Sequence, residues 1–154
     1  MIAYIESSAL IRLALDEPGA ANLKAQLANI DKRYCHQIGY IEMRSGMSRT
    51  LLRSPKQDAN ILRDAVDRIW AETNVIAIDD AQIQRAAGLC ERYQLRAYDA
   101  LHLAAAESLM RIVSSKHMRW FGFDELQNKA AVAIGLRDGL RDGLRDGLRD
   151  GMLD

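Results

Sequence analysis

No net charge remains on this chain of 154 residues: 21 lysines and arginines balance 21 aspartates and glutamates. Without a global positive field, a polyanion is not held by long-range attraction, so any contact with nucleic acid must come from a local patch. Cysteine is scarce. Cys35 and Cys90 stand far apart, and neither belongs to a Cys-x-x-Cys or Cys/His spacing, which argues against a zinc motif and leaves two ordinary buried thiols as the expectation. No stretch approaches the roughly 20 apolar residues of a membrane span. The first residues lack the basic flank, long apolar core and small-residue cleavage site of a secretory leader. A cytoplasmic protein with no membrane contact is therefore expected. Apolar residues make up 49% of the chain, enough for one core, with no room for a second domain.

Short apolar or β-prone runs occur at Ile2 to Ile5, Arg33 to Cys35, Val75 to Ile78 and Met118 to Phe121. Each is followed by polar or acidic residues and reads as a strand. Helical periodicity fills the intervals over Ile38 to Leu52, Ala59 to Glu72, Ala81 to Tyr93 and Tyr98 to Met110. The alternation predicts an α/β domain with a mainly parallel central sheet flanked by helices. Helix starts are expected at Ser8, at Asp79 and near Asp99, where small polar or acidic side chains satisfy free amides. Asp16-Glu17-Pro18-Gly19 reads as the turn between the first two helices.

From Gly135 onward the sequence writes Gly-Leu-Arg-Asp four times and closes on Gly151-Met152-Leu153-Asp154. A period of four sets the leucines near one helix face, but each glycine costs about 1 kcal/mol relative to alanine. The expected division is a domain over residues 1–136 and a low-complexity tail over 137–154, frayed unless something packs on its leucines.

In a parallel α/β sheet, ligands bind beyond the carboxyl ends of the strands, where loops and helix starts converge. Glu6 directly follows the first strand, and Asp124 follows the last after the Gly122-Phe123 step. Asp99 begins the helix Tyr98-Asp99-Ala100-Leu101-His102-Leu103, and Glu42 stands early in the helix over Ile38 to Leu52. Like charges brought together raise one another's pKa values, and a divalent cation removes that cost. Mg²⁺ or Mn²⁺ prefers such oxygen ligands. Glu6, Asp99 and Asp124 are the expected metal-binding residues, with Glu42 completing the catalytic acids. A metal so held activates water and stabilises a leaving oxygen, which suits phosphodiester hydrolysis without a histidine, serine or cysteine nucleophile.

Arg49 and Arg53 return to the helix stripe of Glu42 and form a candidate track for an RNA backbone, because guanidinium pairs with phosphate through a planar fork. Ser8 either caps the first helix or bonds a ligand carboxylate. His102 lies three residues after Asp99 among apolar neighbours and reads as a packing histidine. A phospho-acceptor domain of the receiver type also gathers acids at strand ends, but it needs a lysine after the last strand. Phe121-Gly122-Phe123-Asp124 offers none.

Five segments, Tyr4-Ile5-Glu6-Ser7-Ser8-Ala9-Leu10, Asp16-Glu17-Pro18-Gly19, Ile41-Glu42-Met43-Arg44, Arg96-Ala97-Tyr98-Asp99-Ala100-Leu101-His102-Leu103-Ala104 and Phe121-Gly122-Phe123-Asp124-Glu125-Leu126, carry a resemblance. In this order, over roughly residues 1 to 136, they resemble the PIN-domain toxins of the VapC type. The resemblance implies a three-layer α/β fold and an endoribonuclease dependent on Mg²⁺ or Mn²⁺. It also implies frequent homodimerisation and a cognate VapB-like antitoxin that blocks the site. By position, Glu42, Asp99 and Asp124 match the family's acids. Glu6 stands where the pattern has Asp, and Gly122 where members often have Ser or Thr. On those two positions rests a second reading, a PIN-like binding or regulatory module with weakened catalysis. The extra methylene of Glu6 displaces its carboxylate by about a bond length of 1.5 Å, so Asp at position 6 is expected to serve Mg²⁺ better.

Overall fold

The chain begins with strand β1 (Ile2–Ile5), whose side chains alternate between two buried faces. Ala3 and Ile5 enter one apolar cluster, whereas Tyr4 enters the other. Such two-sided burial marks the middle of a three-layer domain. The computed structural model describes residues 1–141, and the repeats from Asp142 onward lie outside the described residues.

After β1 the elements are α1 (Ser7–Ala14), α2 (Ala20–Gln26), β2 (Lys32–His36), α3 (Ile38–Arg53), α4 (Ala59–Ala71) and β3 (Asn74–Ile76). They are followed by α5 (Asp80–Tyr93), α6 (Ala97–Val113), a 3-10 turn at Ser115–His117, β4 (Met118–Phe121) and α7 (Glu125–Ala133). The strands form one sheet in the order β3-β2-β1-β4, with every pairing parallel. Helices α1 to α4 supply Leu10, Leu13, Leu23, Met43, Met47 and Val66 to one side. On the other, α5, α6 and α7 supply Leu89, Leu103, Leu109 and Ala131 against Tyr4 and Trp120. This is the expected parallel α/β arrangement. Among the described residues no helix is long and apolar enough to cross a membrane.

Strand β3 spans Asn74–Ile76 rather than Val75 to Ile78, because it pairs only with β2, whose last partner is His36. The chain then leaves the sheet, and Asp79 caps α5 by accepting the amide of Gln82 at 2.7 Å. Cys35 is buried and Cys90 half-buried, both as free thiols.

The start of the repeat packs on the body. Trp120 of the edge strand β4 donates its amide to the Arg137 carbonyl at 2.8 Å, and Leu136 is buried. Gly139 lies so close to the Phe121 ring that a Cβ there would meet it at 2.4 Å. Leu140 is half-buried against the α1 to α4 side. The fraying expected from glycine content is offset here by contacts of the first two leucines, and the segment covers an otherwise open sheet edge.

Candidate active site

Glu6 leaves β1 with its amide donating to the Phe121 carbonyl at 2.8 Å, which fixes it at the carboxyl end of two neighbouring strands. Its carboxylate folds back over the start of α1. One oxygen accepts the Ser8 amide at 2.8 Å and the Ser8 hydroxyl, and the other accepts the Ser7 hydroxyl at 2.5 Å. Glu6 is thus the N-cap of α1, and Ser8, expected to start that helix, lies inside its first turn. The reason is reach: the glutamate side chain curls back onto the amide of Ser8 itself, two residues on, and so takes the capping place. Of the two roles open to Ser8, the structure shows the carboxylate bond. Ser8 also accepts the amide of Phe123 at 3.0 Å.

Helix α3 approaches α1 closely because position 46 is glycine; a Cβ there would lie 2.8 Å from the Ile11 side chain. That approach brings Glu42, in the second turn of α3, to the mouth above β1. From the opposite layer, α6 presents His102, whose Nε2 lies 2.6 Å from Glu42 Oε2 and 3.8 Å from Glu6 Oε1. Ligand-capable atoms of Glu6, Glu42 and His102 all lie within 4.8 Å of one another. His102, expected to be a packing residue, is fully buried yet stands between two carboxylates. Its signal was present in the spacing, since positions 99 and 102 share a helix face.

Burial works against a charged His102 ring, but Tyr4, Cys35 and Glu42 around it leave its pKa well above the ordinary histidine value. That direction favours an imidazolium, whereas the hydrogen bonds favour a neutral ring. The Tyr4 hydroxyl accepts the His36 amide at 3.1 Å and lies 2.9 Å from His102 Nδ1, so only a neutral ring gives its hydrogen an acceptor. Tyr4, itself fully buried, stays uncharged and its hydroxyl hydrogen takes Nδ1 as acceptor, so the ring is neutral. In both charge states Nε2 carries a proton toward Glu42.

Asp99, in the first turn of α6, is half-buried. Burial first, and then the charges of Glu6, Asp124 and Glu42, push its pKa up to about 6. Asp124 is exposed and caps α7, accepting the Gln127 amide at 2.7 Å. Gln127 is fully buried and donates to the Asp99 carbonyl at 3.1 Å, while its own Oε1 has no hydrogen-bond partner. Glu6, Glu42, Asp99 and Asp124 all line one cleft of about 440 Å³.

Ser8 and Arg49 line the same cleft, and Arg49 is steadied by the Ser45 hydroxyl at 2.8 Å. Arg53 is not brought there: it lies in the last turn of α3, beside Thr50. Eleven residues of helix separate it from Glu42, about 16 Å of rise. Arg96 and Tyr98, which the sequence reading passed over, line the cleft beside Asp99. Four carboxylates lining one cleft, the proton affinity of Asp99 raised by burial and by the other three, with the unpartnered amide oxygen of Gln127 beside them, fit a hard divalent cation.

The PIN domain family matches residues 3–113, from β1 to the end of α6, and the match stops before Asp124. Ribonuclease VapC46 of Mycobacterium tuberculosis is 30% identical over 106 residues, covering 69% of this chain and 75% of that protein. Ribonucleases VapC45 and VapC49 of the same species are each 29% identical over 110 residues, covering 68% of this chain and 74% of theirs. A chain of the crystal structure of VapBC2 from Rickettsia felis, bound to a DNA fragment from their promoter, superposes with a TM-score of 0.52. It is 13% identical, and the match covers 79% of this chain and 100% of that one. At that identity the likeness bears on the fold alone.

Proposed function

Since the chain belongs to the PIN-domain family, in the company of VapC-type ribonucleases, we propose that it is a metal-dependent endoribonuclease, the toxin of a type II toxin–antitoxin pair. The observation that carries the reading is the meeting of Glu6, Glu42, Asp99 and Asp124 in one cleft, where Asp99 is pushed up to about 6. A site that raises a carboxylate this way is suited to trade its proton for a cation.

Glu6, Asp99 and Asp124 would hold Mg²⁺ or Mn²⁺, and Glu42 would orient the attacking water from the α3 side. The bound cation would lower the pKa of that water and stabilise the departing oxygen. Ser7 and Ser8 hold the Glu6 carboxylate in place, so it meets the site already oriented. Arg49 is set to receive a phosphate of the RNA within the cleft, and Arg53 would meet the strand farther out. A VapB-like antitoxin, a homodimer and a cytoplasmic location belong to the same reading. The weakened-module alternative loses ground because Glu6, on which it leaned, lines the cleft with its carboxylate anchored.

The test is cleavage of a structured RNA by the purified chain with Mn²⁺, with Mg²⁺ and with EDTA. Cleavage is expected only with metal, and Asp99→Asn should lower the rate by at least about 100-fold while leaving the far-UV spectrum unchanged. Equal rates for the variant and the parent, or cleavage in EDTA, would overturn the reading.

A further inference from the structure

Tyr4 sits in the central strand with no exposure, its ring stacked on Trp120 at 5.3 Å and 9°. A hydroxyl buried so deeply is costly unless it is paired. It is paired on both sides, by the His36 amide of β2 and by Nδ1 of His102 on α6. One lone pair of the Tyr4 oxygen is occupied by the amide, so its single hydrogen points at Nδ1. The ring then carries its proton on Nε2, which faces Glu42 Oε2 at 2.6 Å. A line of hydrogen bonds thus runs from the backbone of β2, through Tyr4 and His102, to a carboxylate in the cleft. The Glu42 carboxylate takes this bond on Oε2, and Glu42 lines the cleft.

We propose that Tyr4 and His102 are positioning residues that fix the Glu42 carboxylate through the Nε2–H of His102, and that His102 is not itself a metal ligand although it stands within reach. An imidazole nitrogen ligates through a lone pair, and the one on Nε2 is taken by the proton it donates. Freeing it would require the proton to sit on Nδ1, against the Tyr4 hydrogen. Glu42 is tied in this way to the sheet and not only to its own helix. The proposal rests on the reading of this cleft as a metal site.

The two amide substitutions at position 102 separate donor from ligand. Glutamine places an N–H where Nε2 stood and keeps the donor to Glu42. Asparagine ends near Nδ1 and loses it. Mn²⁺ affinity is measured by calorimetry on the full chain, together with kcat and KM for RNA. His102→Asn should lower kcat by about 10-fold or more with KM and Mn²⁺ affinity little changed, whereas His102→Gln should restore most of kcat. Tyr4→Phe keeps the stacked ring and removes only the hydroxyl, so it carries the test should His102→Asn fail to fold; a several-fold loss of kcat is expected. Equal kcat values for Gln and Asn at position 102, an unchanged kcat in Tyr4→Phe, or a loss of Mn²⁺ affinity shared by both position-102 variants would overturn the proposal while leaving the metal site standing. A parent protein that binds no Mn²⁺ would overturn the functional reading and this proposal with it.

Discussion

Ser8 and Phe123 are joined by a hydrogen bond, amide to hydroxyl at 3.0 Å, across 115 positions of the sequence. The same hydroxyl donates to Glu6, so one small side chain holds the first acid and the segment leading to the last one, Asp124. Ser8→Ala removes a bond to a charged group and strands the Phe123 amide. A loss of about 1–3 kcal/mol in urea denaturation is expected, with Ser8→Thr recovering most of it. A variant as stable as the parent would show that water replaces the hydroxyl without cost.

Glu6→Asp tests the departure from the family pattern. The sequence alone suggested that Asp would serve Mg²⁺ better, but the carboxylate of Glu6 is anchored by Ser7 and Ser8 at the reach of the longer side chain. Shortening it draws the oxygens back from the cleft, and misplacement by about 1 Å costs on the order of 100-fold in rate. Slower Mg²⁺-dependent cleavage is therefore expected, with little change in melting temperature because Asp is itself a good helix cap. Faster cleavage would revive the weakened-module reading.

Asp99 makes stability depend on pH in a direction opposite to most carboxylates. Its folded-state pKa lies at about 6, above the ordinary 3.8, so the native protein holds this proton more tightly than the unfolded chain. The resulting stabilisation is present below about 3.8 and is lost as pH rises through about 6. In EDTA, Asp99→Asn should melt higher than the parent at pH 7.5 and alike near pH 3.5, where both side chains are neutral. Mn²⁺ at pH 7.5 should reverse the order by stabilising the parent alone. A difference that does not vary with pH would show that Asp99 ionises freely.

The sheet and its helices were legible because their signals are local: Ile2–Ile5 and Met118–Phe121 match the expected strands end to end. The acids were legible through a topological rule, since strand ends are where a parallel sheet binds ligands. What escaped was tertiary. His102 looks apolar by its neighbours along α6, and only the crossing of α3 over α1 brings Glu42 to it. Arg53 shares a stripe with Glu42, yet a stripe gives direction and not distance. Gly122 reads as a departure in sequence, but in space a side chain there would press at 3.0 Å on both Asn128 and Trp120, which are hydrogen-bonded to each other at 2.7 Å.

The repeat offers a boundary that truncation can locate. The span of the sequence motifs set the expected end of the domain at Leu136, and the contacts continue through Arg137, whose carbonyl takes the Trp120 amide, to Leu140, whose carbonyl takes the Gln26 side chain at 3.3 Å. Asp138 steadies the stretch by accepting the amides of Leu140 at 3.0 Å and Arg141 at 3.3 Å. Ending the chain after Leu136 removes all of these and leaves the buried Trp120 amide without its acceptor, a loss of about 1–3 kcal/mol for that group alone. It also uncovers the β4 edge, which invites pairing with another chain. The expected outcome is a lower melting temperature and a rise in aggregation for the chain ending at Leu136, with the chain ending at Arg141 melting like the full sequence. Matching melts and matching light scattering for both truncations would show that the β4 edge is stable without its cover.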